Sequence, residues 1–321
     1  MLERLDRDPE QEGVLMRILV VGAGVIGSTY GAKLLLAGHE VVLLARGRRL
    51  SDLRTHGLVV EDAESGQLTE LPAPCLSELD EDERYDVVLV PVRSDQLAST
   101  LPILLGMTDD SDVLFFGNTA GHQDELVKSL GARALFGFPA AGGVRDGPLI
   151  RYVLIRQQKT MLGEANGTTT PRVQLLQGAF SDAGFPTRIS ANINRWMLGH
   201  TAFVVPIGFA LYRVGTDTTR LANDSSTVRL MVRATREAFR ALRTNGEAEI
   251  PMNLRVLYLW LPTAFVERYW RQVLSSPRGE LWFGAHSRAA PEEMRALAGE
   301  LQTALRHSGR PTPHLDNLIC S

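Results

Sequence analysis

Short apolar runs alternate with amphipathic stretches along the first half of the chain. Residues 17–22 and 40–45 are short runs rich in β-branched and other apolar residues, which is typical of buried parallel strands. Between them, residues 25–37 carry apolar positions at helical spacing, and Gly38 follows as a helix stop. The same pattern continues with predicted strands at 86–92, 113–116 and 134–138, and predicted helices at 95–105 and 123–130. Strands that alternate with helices predict a doubly wound parallel sheet.

Three further segments extend this plan. Residues 57–71, with a turn at Ser65-Gly66, predict a hairpin inserted into it. Residues 151–163 predict one or two strands that complete the sheet, and residues 171–183 predict a last helix.

Beyond about residue 188 the pattern becomes helical, without strand runs. The helical stretches cover residues 193–214, 227–244, 253–274 and 291–307. We therefore predict an α/β fold, with a Rossmann-like NADP-binding domain over residues 16–187 and an all-α domain for substrate binding and dimerisation over residues 188–321. Residues 1–15 are charged and without periodicity, and they predict a disordered tail.

The run Gly22-Ala23-Gly24-Val25-Ile26-Gly27 fits the pattern G-x-G-x-x-G. It follows a predicted strand and opens a predicted helix, which is the context of a dinucleotide site. Gly22 permits the tight turn, Gly24 lets a pyrophosphate approach the backbone, and Gly27 allows the helix to pack closely on the strand. The helix N-terminus then stabilises the anion. The alternative is a glycine-rich turn without a ligand.

Basic residues follow the second predicted strand. An NAD site would place a carboxylate here to bind the ribose hydroxyls, but the sequence has Arg46, Arg48 and Arg49 instead. Guanidinium groups bind a 2′-phosphate through charge-assisted, bidentate hydrogen bonds. This favours NADP(H) as the cofactor, and the alternative is a solvated basic loop.

Composition narrows the functional classes. The 321 residues include 34 Lys and Arg against 37 Asp and Glu, and this net charge of −3 argues against nucleic acid or an anionic membrane as a partner. Cys75 and Cys320 are too few for a disulfide framework, and we predict no metal site. No apolar run reaches the ~18 residues of a membrane span, and no signal peptide is recognised. We expect a cytoplasmic protein with a small-molecule substrate.

Several landmarks resemble the ketopantoate reductase (2-dehydropantoate 2-reductase) family. The segment 17–50, RILVVGAGVIGSTYGAKLLLAGHEVVLLARGRRL, is similar to the start of that family, and 91–94 (PVRS) and 116–121 (FGNTAG) follow in the family's order. The segments 143–147 (GVRDG) and 162–164 (LGE) resemble its sheet-closing strands. The resemblance implies an NADPH-dependent reductase of pantothenate biosynthesis, a homodimer with its substrate in the cleft between two domains.

The resemblance also assigns roles to residues of the first domain. Gly22–Gly27 would bind the pyrophosphate and Arg46 the 2′-phosphate. Arg93 stands where the family has a cofactor-contacting lysine and keeps its charge. Asn118 would lie near the nicotinamide and the substrate. The alternative for Asn118 is a turn residue that tolerates unusual backbone angles.

The second domain departs from the family, which carries a catalytic lysine on a helix, followed by two asparagines. Alignment on Pro206 places the lysine at Met197 and the asparagines at Thr201 and Val205, and a shift of one residue places the lysine at Leu198. No lysine follows residue 159, so no alignment restores it. Loss of a general acid typically costs about 10²–10⁴-fold in rate. Thr201 stays a candidate substrate-binding residue.

Three other groups could take the place of the lysine. His200 lies three residues beyond Met197 on roughly the same helix face, and an imidazolium has a suitable acidity near neutral pH. Arg195 could polarise an oxygen but is a poor proton donor, and Lys159 could reach in from the first domain. We predict His200 as a catalytic residue, and the alternative is a hydrogen-bonded helix histidine.

Two further positions match the family by spacing. Glu293 stands six residues before Gly299, and its counterpart in the family contacts the cofactor and orders the active site; the alternative is a glutamate favoured by the start of a helix after Pro291. Ser276 belongs to a Ser-Ser pair similar to the one that binds the substrate carboxylate. The tract 270–283 is rich in aromatic residues and arginine. It would suit a larger or more aromatic substrate if it faces the cleft, or form a core and dimer-contact stripe otherwise.

These observations predict an NADPH-dependent reductase that transfers hydride to the keto group of a small 2-oxo acid or related carbonyl compound. The first alternative is a catalytically degenerate NADP(H)-binding protein. The second is a reductase of another carbonyl or imine substrate, and a protonated imine would not need the lysine.

Overall fold

The structure, a computed structural model, describes residues 14–79, 83–107, 110–119, 121–244 and 246–320. The predicted tail at 1–15 lies outside these residues, except for Val14 and Leu15, which are exposed.

Twelve strands occur in the described residues. They are β1 (Arg17–Val21), β2 (Glu40–Leu44), β3 (Leu58–Asp62), β4 (Leu68–Leu71), β5 (Cys75–Leu76), β6 (Val87–Val90), β7 (Asp112–Phe116), β8 (Ala134–Phe138), β9 (Ala141–Asp146), β10 (Leu149–Leu154), β11 (Thr160–Glu164) and β12 (Thr187–Ile189).

Fourteen α-helical segments accompany them. They are α1 (Val25–Leu36), α2 (Gly47–His56), α3 (Leu97–Leu105), α4 (Gln123–Leu130), α5 (Pro171–Asp182), α6 (Ile193–Arg213), α7 (Thr218–Asn223), α8 (Ser225–Thr244), α9 (Met252–Arg255), α10 (Thr263–Leu274), α11 (Pro277–Gly279), α12 (Ala285–Ala289), α13 (Pro291–His307) and α14 (Pro313–Ile319). Short 3₁₀ turns lie at Ser94–Gln96 and Gly131–Arg133, and π-helical segments at Val256–Trp260 and Glu280–Gly284.

An eight-stranded sheet forms the centre of the first half, in the order β12-β11-β8-β7-β6-β1-β2-β5. Its strands pair in parallel except for β11, which runs antiparallel to β8. This confirms the predicted doubly wound sheet. The last strand, β12, extends the sheet to Ile189, two residues past the domain boundary predicted from the sequence.

Both faces of the large sheet are covered, which explains why its strands are apolar at nearly every position. Ile18 and Val20 of β1 point to the face covered by α1 and α5, whereas Leu19 and Val21 point to the face covered by α3 and α4. Tyr30 of α1 lies fully buried on the first face.

A second, four-stranded sheet, in the order β4-β3-β10-β9, packs beside α1. The predicted hairpin at 57–71 is confirmed as β3 and β4, but the prediction for 151–163 is partly wrong. Only β11 joins the large sheet, whereas β10 forms a hairpin with β9 and pairs in parallel with β3. Gly147, at a φ of +55°, makes the tight turn that folds β10 back on β9.

The second half is helical and has its own core around α6 and α8. Buried residues such as Met231, Phe239 and Tyr258 fill it. This confirms the predicted helical region after the sheet. The helix predicted over 253–274 is interrupted, because the chain becomes extended at Leu261 and Pro262 before α10 begins. None of the helices in the described residues is both long enough and apolar enough to cross a membrane.

Candidate active site

One large cavity, of about 1070 Å³, lies where the sheet meets the helical region. The first half contributes the segments that follow the carboxyl ends of β1, β6, β7 and β8, where open α/β sheets bind their ligands. The helical region contributes residues of α6, α10, α12 and α13. The sheet in the first half of the chain and the helices in the second half therefore build the same site.

The glycine-rich turn forms one end of the cavity, which Gly24, Val25 and Ile26 line. Gly22 has a φ of +109°, and a Cβ on Gly27 would lie 2.1 Å from the carbonyl oxygen of Gly22, so both positions require glycine. Helix α1 begins at Val25 without an acidic residue in its first turn and without a side-chain cap. Its first amides are therefore available to an anion, which fits the diphosphate of a dinucleotide.

The arginine cluster after β2 is smaller than the sequence predicted. Helix α2 begins here, with Arg46 at its N-cap, and Arg46 and Arg48 are exposed. Arg49 instead is 6% exposed and faces the turn. It donates from Nε to the carbonyl oxygen of Ala23 at 2.9 Å and from Nη2 to Ser28 Oγ at 2.9 Å. The grouping of Arg49 with the phosphate ligands is therefore wrong, because its guanidinium is used inside the protein.

Ala23 and Arg46 also differ from the other predicted cofactor residues in their position. Ala23 is buried outside the cavity lining, and only its carbonyl oxygen takes part, as the acceptor for Arg49. Arg46 lies on a smaller neighbouring cavity of about 280 Å³ that Tyr85 also lines. The structure thus separates Arg46 from the large cavity that Arg93 lines.

Arg93, Asn118 and Glu293 come together from distant parts of the sequence. Arg93 follows β6, lines the cavity and is held by Asp95 through bonds of 3.0 and 3.2 Å. Asn118 follows β7 and donates from Nδ2 to Glu293 Oε1 at 3.1 Å, and the backbone amide of Ser94 donates to the same oxygen at 3.5 Å. Glu293, in the first turn of α13, is only 2% exposed.

A histidine that the sequence reasoning missed adds to this group. His286 of α12 lines the cavity, and its Nε2 lies 3.3 Å from Glu293 Oε2. That oxygen is buried and has no hydrogen-bond partner among the described residues. The spacing between His286 and Glu293 carries no recognised motif, so the sequence offered no signal for the pair.

His200 lines the cavity, as predicted, but its environment does not suit an imidazolium. Its ring is stacked on Trp196 and lies against Phe138. Burial among these rings, with a smaller contribution from His286, lowers the pKa of His200 to about 3. This lowered pKa argues against the predicted role of His200 as a charged proton donor, and that role stays a prediction.

Other predicted or candidate residues lie outside the cavity lining. Met197 is 2% exposed, and its Sδ accepts hydrogen bonds from Thr119 Oγ1 and Gln123 Nε2 at 3.1 and 3.3 Å. Thr201 is 1% exposed in the helical core, so its predicted contact with a substrate is wrong. Ser276 is partly exposed and donates to the carbonyl oxygen of Val273 at 2.6 Å, and it does not line the cavity, which argues against its predicted substrate contact.

The remaining cationic candidates divide between the cavity rim and the surface. Lys159 lines the cavity and is exposed, next to Gln158. Arg195 is exposed on the first turn of α6 and is absent from the lining, so it cannot polarise a bound substrate.

The substrate end of the cavity is aromatic. Nine Phe, Tyr and Trp side chains line the cavity, in addition to His200, and they are Phe116, Phe138, Trp196, Phe203, Phe265, Tyr269, Trp270, Trp282 and Phe283. Within the tract 270–283 the aromatic residues thus face the cavity, whereas Arg271 donates to the carbonyl oxygen of Ala222 and Arg278 lies 3.6 Å from Glu64. The cavity is therefore large and rich in aromatic side chains away from the glycine-rich turn.

Sequence comparisons identify relatives of this chain. Residues 18–167 match the family model described as ketopantoate reductase PanE/ApbA. The 2-dehydropantoate 2-reductase of Pyrococcus horikoshii is 26% identical over 204 residues, which span 61% of this chain and 64% of that protein, less than two thirds of its length. The 2-dehydropantoate 2-reductase of Aquifex aeolicus is 24% identical over 253 residues, 74% of this chain and 75% of that protein.

Solved structures share the fold over nearly the whole chain. The 2-dehydropantoate 2-reductase of Geobacter metallireducens has a TM-score of 0.78 at 19% identity, covering 94% of this chain and 97% of that one. A D-mandelate dehydrogenase, solved with NADH and anilino(oxo)acetate, has a TM-score of 0.71 at 17% identity, covering 95% and 96%. At these identities the likeness establishes the fold.

Proposed function

We propose that this chain, which belongs to the ketopantoate reductase family, is an NADPH-dependent reductase of a keto group. Its substrate would be a small 2-oxo acid or a related carbonyl compound. The observation that carries this proposal is the single cavity, which runs from the anion-binding turn at Gly24 past Asn118 and Glu293 to the aromatic end at Trp282.

The residues fit a nicotinamide dinucleotide. The free amides at the start of α1 would bind the diphosphate, Arg93 would contact the ribose end, and Asn118 would lie at the nicotinamide end. When bound, the reduced nicotinamide supplies the hydride. The protein holds Asn118 in place through Glu293 and surrounds the reacting carbonyl with apolar side chains that exclude water.

The preference for NADP(H) rests on the residues after β2. Arg46 and Arg48 are exposed beside the N-terminus of α2, where a 2′-phosphate would meet two guanidinium groups and free backbone amides. We also propose that Met197 takes the place of the family's lysine, since it contacts Thr119, the neighbour of Asn118. A cytoplasmic homodimer is part of this proposal, and light scattering of the purified protein tests the dimer.

The test is NADPH oxidation by the purified protein with ketopantoate and a series of 2-oxo acids that carry alkyl or aryl substituents. We expect turnover of about 1–10³ s⁻¹ with at least one member of the series, and much weaker activity with NADH. Equal activity with NADH and NADPH would contradict the role of Arg46 and Arg48.

A second candidate is a protein that binds NADP(H) without turning over a 2-oxo acid. The observation that favours it is the burial of Met197 outside the cavity lining, together with the lowered pKa of His200. Calorimetric binding of NADPH without oxidation of it by any 2-oxo acid or cyclic imine would support this candidate. Reduction of the imine alone would instead indicate a substrate that is already protonated.

A further inference from the structure

Reduction of a carbonyl needs a proton as well as a hydride, and few groups in the described cavity wall can supply one. Arg93 is held by Asp95, and Arg188 lies 3.6 Å from Glu249. His200 is neutral. Tyr269 lies on α10, whereas the end of the cavity at Asn118 is bordered by α12 and α13.

We propose that His286 is the proton donor of this enzyme and that Glu293 positions it. This inference rests on the proposed keto-reductase function. It assigns to α12 the task that the family gives to a lysine on the helix equivalent to α6.

The geometry supports the assignment. The His286 side chain is 45% exposed and lines the cavity, while Glu293, 3.3 Å away, is 2% exposed. The other carboxylate oxygen of Glu293 accepts the Asn118 hydrogen bond of 3.1 Å. Asn118, Glu293 and His286 therefore form one connected series of polar groups between the proposed nicotinamide end and the helical wall. Glu293 Oε2 is buried without a hydrogen-bond partner among the described residues, and His286 Nε2 is its ion-pair contact at 3.3 Å.

Several titratable and charged groups lie near His286. Glu293 on α13 faces it with a buried carboxyl group, 3.3 Å away. Of the other elements packed against α12, α6 presents neutral His200, and β9 presents only Ala141–Gly143 to the cavity. On the preceding π-helical segment, Glu280 is bound to Arg288, and Arg93 interacts electrostatically with Glu293.

A bound reduced nicotinamide would supply the hydride for the new C–H bond, and the π electrons of the carbonyl would move to its oxygen. That oxygen takes the proton from Nδ1 of the His286 imidazolium, while Nε2 stays 3.3 Å from Glu293 Oε2. The neutral ring then regains a proton from water at the cavity mouth.

The experiment compares five variants with the wild type, using the 2-oxo acid that the wild type reduces. They are His286→Gln, His286→Ala, Glu293→Gln, His200→Gln and Lys159→Gln, with His56→Gln, on the exposed end of α2, as the matched surface control. We expect His286→Gln to lower kcat by about 10²–10⁴-fold, with the affinity for NADPH unchanged. We expect kcat to decline at high pH in the wild type, in His200→Gln and in Lys159→Gln, and to show no such decline in His286→Gln. Free imidazole restores part of the activity of His286→Ala.

Other outcomes overturn the inference in separable ways. A wild type that binds NADPH but reduces no compound of the series overturns the proposed function together with its proton donor. An active wild type with a fully active His286→Gln variant overturns the His286 assignment alone. Loss of the high-pH decline in His200→Gln or Lys159→Gln, with its retention in His286→Gln, assigns the proton to that residue instead. If His286→Gln binds NADPH poorly, failure of imidazole to rescue His286→Ala overturns the assignment.

Discussion

Arg49 supports the glycine-rich turn from within the protein, and its replacement separates this role from phosphate binding. Its Nε and Nη2 hold the carbonyl oxygen of Ala23 and the hydroxyl of Ser28, each at 2.9 Å. Its Nη1 donates to the carbonyl oxygen of Pro148 at 3.1 Å, in the turn between β9 and β10. One buried guanidinium thus links the glycine-rich turn to helix α1, through Ser28, and to the turn between β9 and β10, through Pro148. We expect Arg49→Met to weaken the binding of NADPH and NADH equally.

The magnitude follows from the three hydrogen bonds. Bonds to charged groups contribute about 1.5–3 kcal/mol each, and an acceptor left buried without a partner costs about 1–3 kcal/mol. Methionine keeps most of the apolar stem and removes the cost of burying a charge, which offsets part of this loss. We expect a net loss of about 2–4 kcal/mol in the free energy of unfolding. A misplaced turn would raise both dissociation constants by about 10–100-fold, since ~1.4 kcal/mol is tenfold.

Calorimetric titration of both cofactors, together with thermal unfolding, measures these effects. Arg46→Ala is the matched comparison, because Arg46 is exposed and proposed to meet only the 2′-phosphate. Arg46→Ala should weaken NADPH binding and leave NADH binding and the melting temperature unchanged. The size of the loss in NADPH affinity should depend on the salt concentration. Arg49→Met should lower the melting temperature and affect both cofactors. A selective loss of NADPH binding in Arg49→Met, at an unchanged melting temperature, would refute the reasoning.

Three further predictions test other parts of the structure. Gly27→Ala should prevent stable folding of the turn, because its Cβ would lie 2.1 Å from a backbone carbonyl oxygen. A Cβ at Gly24 meets no atom within 4 Å, so Gly24→Ala should fold normally and lose only NADPH affinity. Thermal melting and NADPH titration of both variants check this. Tyr30→Phe removes a buried hydroxyl that accepts from the amide of Ala140 at 3.1 Å, so chemical denaturation should report a loss of about 1–3 kcal/mol, and a loss near zero would contradict it. Asp224 caps α8, and hydrogen bonds from Ser226 and Thr227 lower its pKa from 3.8 to about 2. Its contribution to the free energy of unfolding is therefore full above about pH 4 and is lost as the pH falls towards 2. Asp224→Ala should cost about 1 kcal/mol at neutral pH and less in acid, as denaturant midpoints measure, and an equal cost at both pH values would argue against the cap.

Much of the sheet could be predicted because its strands are buried on both faces and are marked by short apolar runs. The nucleotide turn was identifiable for a similar reason, since Gly22 and Gly27 are required by backbone geometry alone. Helix α2 and the partner of β10 could not be predicted in this way. The basic segment that begins α2 has little apolar periodicity, and β10 is apolar enough to suit either sheet.

The sequence could not show which side chains of α6 point into the cavity. Alignment on Pro206 identified residues 197 and 201 but not whether their side chains reach the cavity. Met197 packs against Thr119 and Gln123, between α6 and the start of α4, and Thr201 faces the helical core. Both directions depend on how α6 crosses the sheet, which is a property of the packed protein.

The pairing of His286 with Glu293 depends on two irregularities that no periodic pattern encodes. The π-helical segment Glu280–Gly284 changes the helical phase just before α12, so the face on which His286 lies cannot be counted from α11. The helix then breaks at Ala290, with φ of −136° and ψ of 52°, and Pro291 starts α13 in a new direction. The break brings the end of one helix against the start of the next, and the two side chains meet across it. A family motif that assigns proton donation to one helix cannot reveal a donor built this way, because the contact arises from the break itself.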